Sequence, residues 1–82
     1  MYYVYILRSL KNGRLYTGST NDLERRLKEH NLGLSKYTKS TKPFRLIHYE
    51  NFESRSKAIK REKYFKTGKG REELQSIVDK SI

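Results

Sequence analysis

Residues 2–18 read Tyr2-Tyr3-Val4-Tyr5-Ile6-Leu7-Arg8-Ser9-Leu10-Lys11-Asn12-Gly13-Arg14-Leu15-Tyr16-Thr17-Gly18. The opening Tyr2–Leu7 run is aromatic and β-branched, a composition that favours a strand over a helix. Both faces of that strand are apolar, so it is predicted to be central and covered on each side. Asn12-Gly13 is the strongest short-range hairpin signal, and Leu15-Tyr16-Thr17-Gly18 follows as the returning strand. Tyr3, Tyr5 and Leu7 then share one face, with Tyr16 on the hairpin partner.

Working outward, Asn21 with Glu24 three residues on resembles a capping box, and Asp22 suits the positive end of a helix dipole. A helix from Asp22 to about Asn31 would turn Leu23 and Leu27 inward, with Asn31 and Gly33 ending it. Residues 32–43 lack periodicity and read as an exposed basic loop. Phe44–Tyr49 is a further strand, with Phe44, Leu46 and His48 on one face. Ser54 is the expected N-cap of a helix running to about Lys66 and stopped by Gly68 and Gly70. A last short helix is expected over Arg71–Val78. The order β-β-α-β-α-α predicts an α+β fold, a small antiparallel sheet of about three strands with helices packed on it.

The 82 residues suit a single domain, residues 1–82, with no linker or repeat. There is no cysteine, which excludes a disulfide framework and thiolate zinc sites. The apolar run at the start is too short to span a bilayer and lacks the flanks of a signal peptide, so a soluble, cytoplasmic protein is expected, with no membrane partner. Nineteen Lys+Arg against nine Asp+Glu give a net charge of +10. Such an excess points to a polyanionic partner, nucleic acid before an anionic membrane, although solubility alone would also explain it.

The charge is uneven. No acid precedes Asp22, and none lies between His30 and Tyr49. Lys36, Tyr37, Lys39 and Lys42 interleave cations with an aromatic ring, a mixture suited to phosphate contact and base stacking. From Arg55 to Arg71 there are eight bases, and Glu62 is the one acid among them. Arg55, Arg61, Lys66 and Lys69 are the candidate nucleic-acid contacts of that stretch.

Glu62 shares a helix stripe with Ala58, Ile59 and Phe65, so it projects from the inward border and needs a partner there. That partner is either an arginine at the core border or a divalent cation held with oxygen ligands and water. Arg26 and His30, spaced i, i+4, share a face next to Leu23 and Leu27. They are either surface residues or a grip for a phosphate. Tyr5 and Tyr16 are either sheet packing or a pair of phenols able to handle a proton from water. Two histidines are too few for a histidine-built zinc site, and Gly68-Lys69-Gly70 departs from a phosphate loop and reads as a turn.

Taken together, these residues resemble the GIY-YIG nuclease superfamily. Tyr3-Val4-Tyr5 stands where Gly-Ile-Tyr would be. Tyr16-Thr17-Gly18 stands where Tyr-Ile-Gly would be, its Tyr16 eleven residues beyond Tyr5. Gly18-Ser19-Thr20 to Arg26 with Glu29-His30-Asn31 resembles the family's helix signature, and Ser56-Lys57-Ala58 through Glu62 to Lys66 resembles its metal-binding helix. Tyr3 replaces the first glycine, and Leu74-Gln75 stands where many members carry an asparagine. The chain is similar to the short stand-alone bacterial members and to the nuclease domain of the UvrC repair subunit. The resemblance implies a single Mg²⁺ or Mn²⁺, with Glu62 as its ligand, and hydrolysis of DNA phosphodiesters, double-stranded or branched, with RNA a weaker candidate. It implies Arg26 as the stabiliser of phosphate charge, Tyr5 and Tyr16 as the catalytic tyrosines and His30 at a position that is His or Tyr in the family. Repair or recombination is the implied setting, with a homodimer or protein partner for targeting. The rival expectation is a nucleic-acid-binding module on the same scaffold with weak or no turnover.

Overall fold

The computed structural model describes residues 1–36 and 38–80. Three antiparallel strands, β1 (Tyr2–Ser9), β2 (Leu15–Thr20) and β3 (Phe44–Phe52), form one sheet in the order β2-β1-β3. Helix α1 (Leu23–Asn31) follows β2, and α2 (Arg55–Tyr64) and α3 (Gly68–Lys80) follow β3. The architecture is the expected α+β, in the expected order. Gly13, at φ 75°, makes the β1–β2 turn, and the Asn12 side chain accepts a hydrogen bond from the Arg14 N–H.

β1 is central and buried on both faces, as its composition required. Val4 and Ile6 pack with Ala58, Phe65, Leu74 and Val78 beneath α2 and α3. Tyr5 and Leu7 pack with Phe44 on the opposite face, where Tyr16, Leu23, Leu27 and Leu46 close around them. The sheet therefore separates α1 from α2 and α3. β2 and β3 are the two edge strands of the sheet.

Four local expectations are corrected. The cap of α1 is Asp22, whose carboxylate accepts from the Arg25 N–H, while Asn21 accepts from the Arg25 guanidinium. The loop before β3 contains a short 3-10 turn over Lys39–Thr41. In β3 the register slips between Ile6 and Leu7 of β1, so Leu46 faces Leu7 and His48 faces Ile6. The extra residue, Ile47, reverses the alternation. His48 consequently lies on the α2 side and bonds Glu50, away from the face of Phe44 and Leu46. Finally, Gly68 and Gly70 open α3 and do not terminate α2. The Thr67 hydroxyl accepts from the Gly70 N–H, a capping role. A Cβ at position 70 would run into the Tyr64 carbonyl oxygen, so this glycine is needed for close approach of the two helices.

Candidate active site

The side chains singled out on β1, β2, α1 and α2 meet at the open edge of β2. Tyr5 pairs with Gly18 across the β1–β2 ladder, so both positions face α1. With no side chain at position 18, the Tyr5 phenol lies across β2: a Cβ there would stand 2.5 Å from its hydroxyl oxygen. That hydroxyl is 3.0 Å from His30 Nε2. His30, wholly buried in the last turn of α1, places Nδ1 2.6 Å from the Thr38 hydroxyl. The Tyr16 ring lies edge-on to His30, with centroids 5.0 Å apart, and 6.3 Å from the Tyr5 ring. Arg26, one turn before His30, is near enough for its charge to act on the Tyr5 hydroxyl, and it bonds Glu29 at 2.9 Å. Glu29 and Tyr5 both hold the guanidinium protonated.

Glu62 arrives from the other face of the sheet. Ser19, the residue after Gly18, points toward α2 and donates to Glu62 Oε1 at 2.8 Å. Lys66 pairs with Oε2 at 3.0 Å. Glu62 keeps 22% of its side-chain surface exposed and is close enough for its charge to act on Tyr5. The residue expected to satisfy it was either an arginine or a cation; in this structure a serine and an exposed lysine do so.

Burial dominates the titration of the phenol. It pushes the Tyr5 hydroxyl up to about 12 against the lowering influence of Arg26. The surrounding cations alone therefore do not hold this phenol low, and at pH 7 its proton remains on the oxygen. Burial also pushes His30 down, to about 4, assisted by the Arg26 charge. His30 is neutral at pH 7. A histidine with a folded-state pKa below its unfolded value of 6.5 takes up a proton on unfolding between those two values. Stability is thus complete above about pH 6.5 and falls toward pH 4, with on the order of 2 kcal/mol lost by pH 5 and roughly 3 kcal/mol by pH 4. Urea midpoints at pH 7 and pH 5 measure this loss, and His30→Gln should flatten it across that interval.

The candidate nucleic-acid contacts divide. Lys36, Lys39, Lys42, Arg55, Lys66 and Lys69 are exposed. Arg55 borders a cleft of about 310 Å³ with Ser19, Thr20 and Asn21, next to Glu62's serine partner. Arg61 is not brought together with them. It donates to Glu50 at 2.8 and 3.2 Å, pairs with Glu73 and lies 4.3 Å over the Phe65 ring. Burial alone would raise the Glu50 carboxyl, but Arg61 and His48 outweigh it and hold Glu50 below its ordinary value. Arg61 is thereby a neutralised strut between β3 and α3. Tyr37 lies outside the described residues. Ser19 and Thr38 were not singled out in the sequence. Ser19 directly follows the Tyr16-Thr17-Gly18 motif, a position that flags it; Thr38 sits in an aperiodic polar loop that carries no such signal.

The chain matches the GIY-YIG catalytic domain over residues 1–75. It belongs to the GIY-YIG family. It is 47% identical to a UPF0213 protein of Clostridium perfringens, over all of this chain and 88% of the relative. Its identity to a UPF0213 protein of Haloquadratum walsbyi is 46%, over 80% of this chain and 74% of the relative. The solution NMR structure of a UPF0213 protein from Bacillus halodurans superposes with a TM-score of 0.55 at 41% identity, covering 94% of this chain and 85% of that one. The GIY-YIG domain is a nuclease domain, so the substrate is a nucleic acid. Among the described residues no helix is long and apolar enough to cross a membrane.

GIY-YIG nucleases generally use a divalent metal, and the donors here bear on whether one would fit. Among the described residues no three His, Cys, Asp or Glu side chains gather into a metal cluster. Glu62 with the Ser19 hydroxyl offers one carboxylate and one neutral oxygen. Mg²⁺ binds in this sparing way, through one or two carboxylates, substrate phosphate and retained water. Lys66, its side chain 58% exposed, is free to swing off Oε2. The donor set fits a single hard cation.

Proposed function

We propose that this chain is a divalent-metal-dependent DNA endonuclease of structure-selective or weakly sequence-specific kind, acting on branched or distorted duplexes such as arise in repair and recombination. The observation that carries the reading is that adjacent residues of β2 serve both groups: Gly18 lies against the Tyr5 phenol on one face of the sheet, and Ser19 bonds Glu62 on the other. Glu62 would hold one Mg²⁺ or Mn²⁺. When bound, that ion supplies positive charge against a phosphate oxygen and lowers the pKa of a nearby phenol or water.

The other residues act through their own chemistry. A guanidinium can only donate, so Arg26, beside Tyr5, is placed to give hydrogen bonds to the non-bridging oxygens of a phosphate. To take a proton from the attacking water, Tyr5 must first give its own up to solvent water, a loss that a cation held at Glu62 would favour. His30 supports the resulting phenolate only in the tautomer that donates from Nε2, and its Nδ1 then accepts from the Thr38 hydroxyl. Burial of this chain keeps bulk water from competing for these bonds. Tyr16 packs the Tyr5 and His30 rings into place from the β2 side.

The test is incubation with supercoiled and with branched DNA in Mg²⁺, Mn²⁺ or EDTA. Nicking in metal that stops in EDTA is the expected result; absence of nicking in either metal leaves a binding module on a nuclease scaffold and overturns the proposal. Arg26→Ala should lower turnover about 100-fold with little change in DNA affinity, because its contribution grows as charge develops on the phosphate. An equal loss in Kd and turnover would make Arg26 an anchoring residue instead.

A further inference from the structure

Two clefts flank β2, one against α2 and one against the α2–α3 junction and α3. The cleft on the Thr20 side is polar. The one on the Leu15 side, of about 460 Å³, has a floor of Leu15, Phe65 and Leu74, with Tyr16 at its wall. Lys66 and Arg71 stand at its rim, and the same Lys66 bonds Glu62. Through Lys66 this cleft adjoins the candidate metal carboxylate, Glu62. Its volume lies in the range of small-molecule clefts, about 300–1,000 Å³.

We propose that this cleft is a nucleobase subsite, which takes an unpaired base of a DNA strand while Lys66 and Arg71 hold the flanking phosphates. The inference rests on the nuclease reading and narrows its substrate to DNA with an unpaired or displaced nucleotide beside the cut. An apolar floor does not suit a phosphate, whereas a base presents two apolar faces. Two cations at the rim match the charge on either side of such a base. A second copy of this chain would bring the same cations and a net charge of +10 against them, so charge complementarity favours a polyanion. From Ser19 to Leu15 along β2 is about 13 Å, which places the captured base one or two nucleotides from a phosphate held at Glu62. A paired base cannot enter, since its faces and edge are engaged in the duplex; one that is already unpaired enters at least cost.

The experiment measures binding in EDTA, where no cleavage occurs. A duplex with a single bulged adenine is compared with the same duplex bearing an abasic bulge, by anisotropy and by the methyl NMR signals of Leu15 and Leu74. The expected result is about tenfold tighter binding of the adenine bulge, with shifts at both methyl groups that the abasic bulge does not produce. Equal affinities, or base-dependent shifts confined to other residues, would overturn the subsite. So would concentration-dependent shifts of Leu15 and Leu74 without DNA, which would mark a second copy in the cleft. Nicking without any base preference would preserve the nuclease reading and remove only the subsite. Base-dependent binding by a protein that never nicks would do the reverse.

Discussion

Glu62→Gln is expected to abolish metal-dependent nicking, by a factor of about 1,000 or more, while binding to DNA in EDTA is unchanged or slightly tighter. The substitution is nearly isosteric. The Gln amide oxygen can still accept from Ser19, so the contact between β2 and α2 survives. What disappears is the negative charge. Its ion pair with Lys66 is exposed on the lysine side and contributes at most about 1 kcal/mol to the fold. A hard cation loses the carboxylate on which a one-carboxylate site depends. DNA affinity does not suffer, because removing an acid from so basic a surface reduces repulsion of phosphate. Single-turnover nicking rates beside anisotropy titrations separate the two effects. Equal nicking by variant and wild type would exclude Glu62 as the metal ligand. Loss of binding in step with nicking would assign it a structural role.

How far the residues could be read in advance varies with how local the deciding interaction is. β1, the Asn12-Gly13 turn and the Ser54 cap rest on neighbours within a few positions, and each is where its chemistry placed it. The convergence of Tyr5 and Tyr16 was accessible for the same reason: a hairpin with this turn puts Tyr16 opposite Leu7 and Gly18 opposite Tyr5. The bulge at Ile47 was not legible, since alternation in β3 reads smoothly through it and only the pairing with β1 exposes the slip. The start of α3 was misread because two glycines look like a stop. Gly70 is there because the Tyr64 carbonyl leaves no room at that position, whereas a side chain at Gly68 would meet open space. The partners of the candidate site are the least visible of all. Ser19 meets Glu62 across 43 positions, and Arg61 finds its acids on β3 and α3. Charge patterning identifies a cation but not whether another element will neutralise it.

Gly18→Ala tests whether the placement of the phenol is what the β2 glycine provides. Gly18 is not among the residues with positive φ, so backbone freedom is not its reason for being there. Glycine within a strand normally costs stability, and alanine at such a position should stabilise unless its methyl group meets something. Here the Cβ would stand 2.5 Å from the Tyr5 hydroxyl oxygen, 2.7 Å from its Cζ and 3.1 Å from the Tyr16 ring. Tyr5 is only 2% exposed and is bonded to His30, which is itself sealed by Thr38 and Phe44. The ring cannot swing aside without giving up the His30 bond or overpacking the α1 layer. The expected result is a stability loss of about 1–3 kcal/mol and a fall in turnover of about 100-fold, the penalty of displacing a reacting group by roughly 1 Å. DNA affinity in EDTA should hardly change, because no surface cation is touched. Urea midpoints, turnover and the His30 imidazole NMR signals report the three consequences separately. A variant more stable than wild type, with unaltered His30 signals and full turnover, would mean that the phenol has room to move and that Gly18 does not position it.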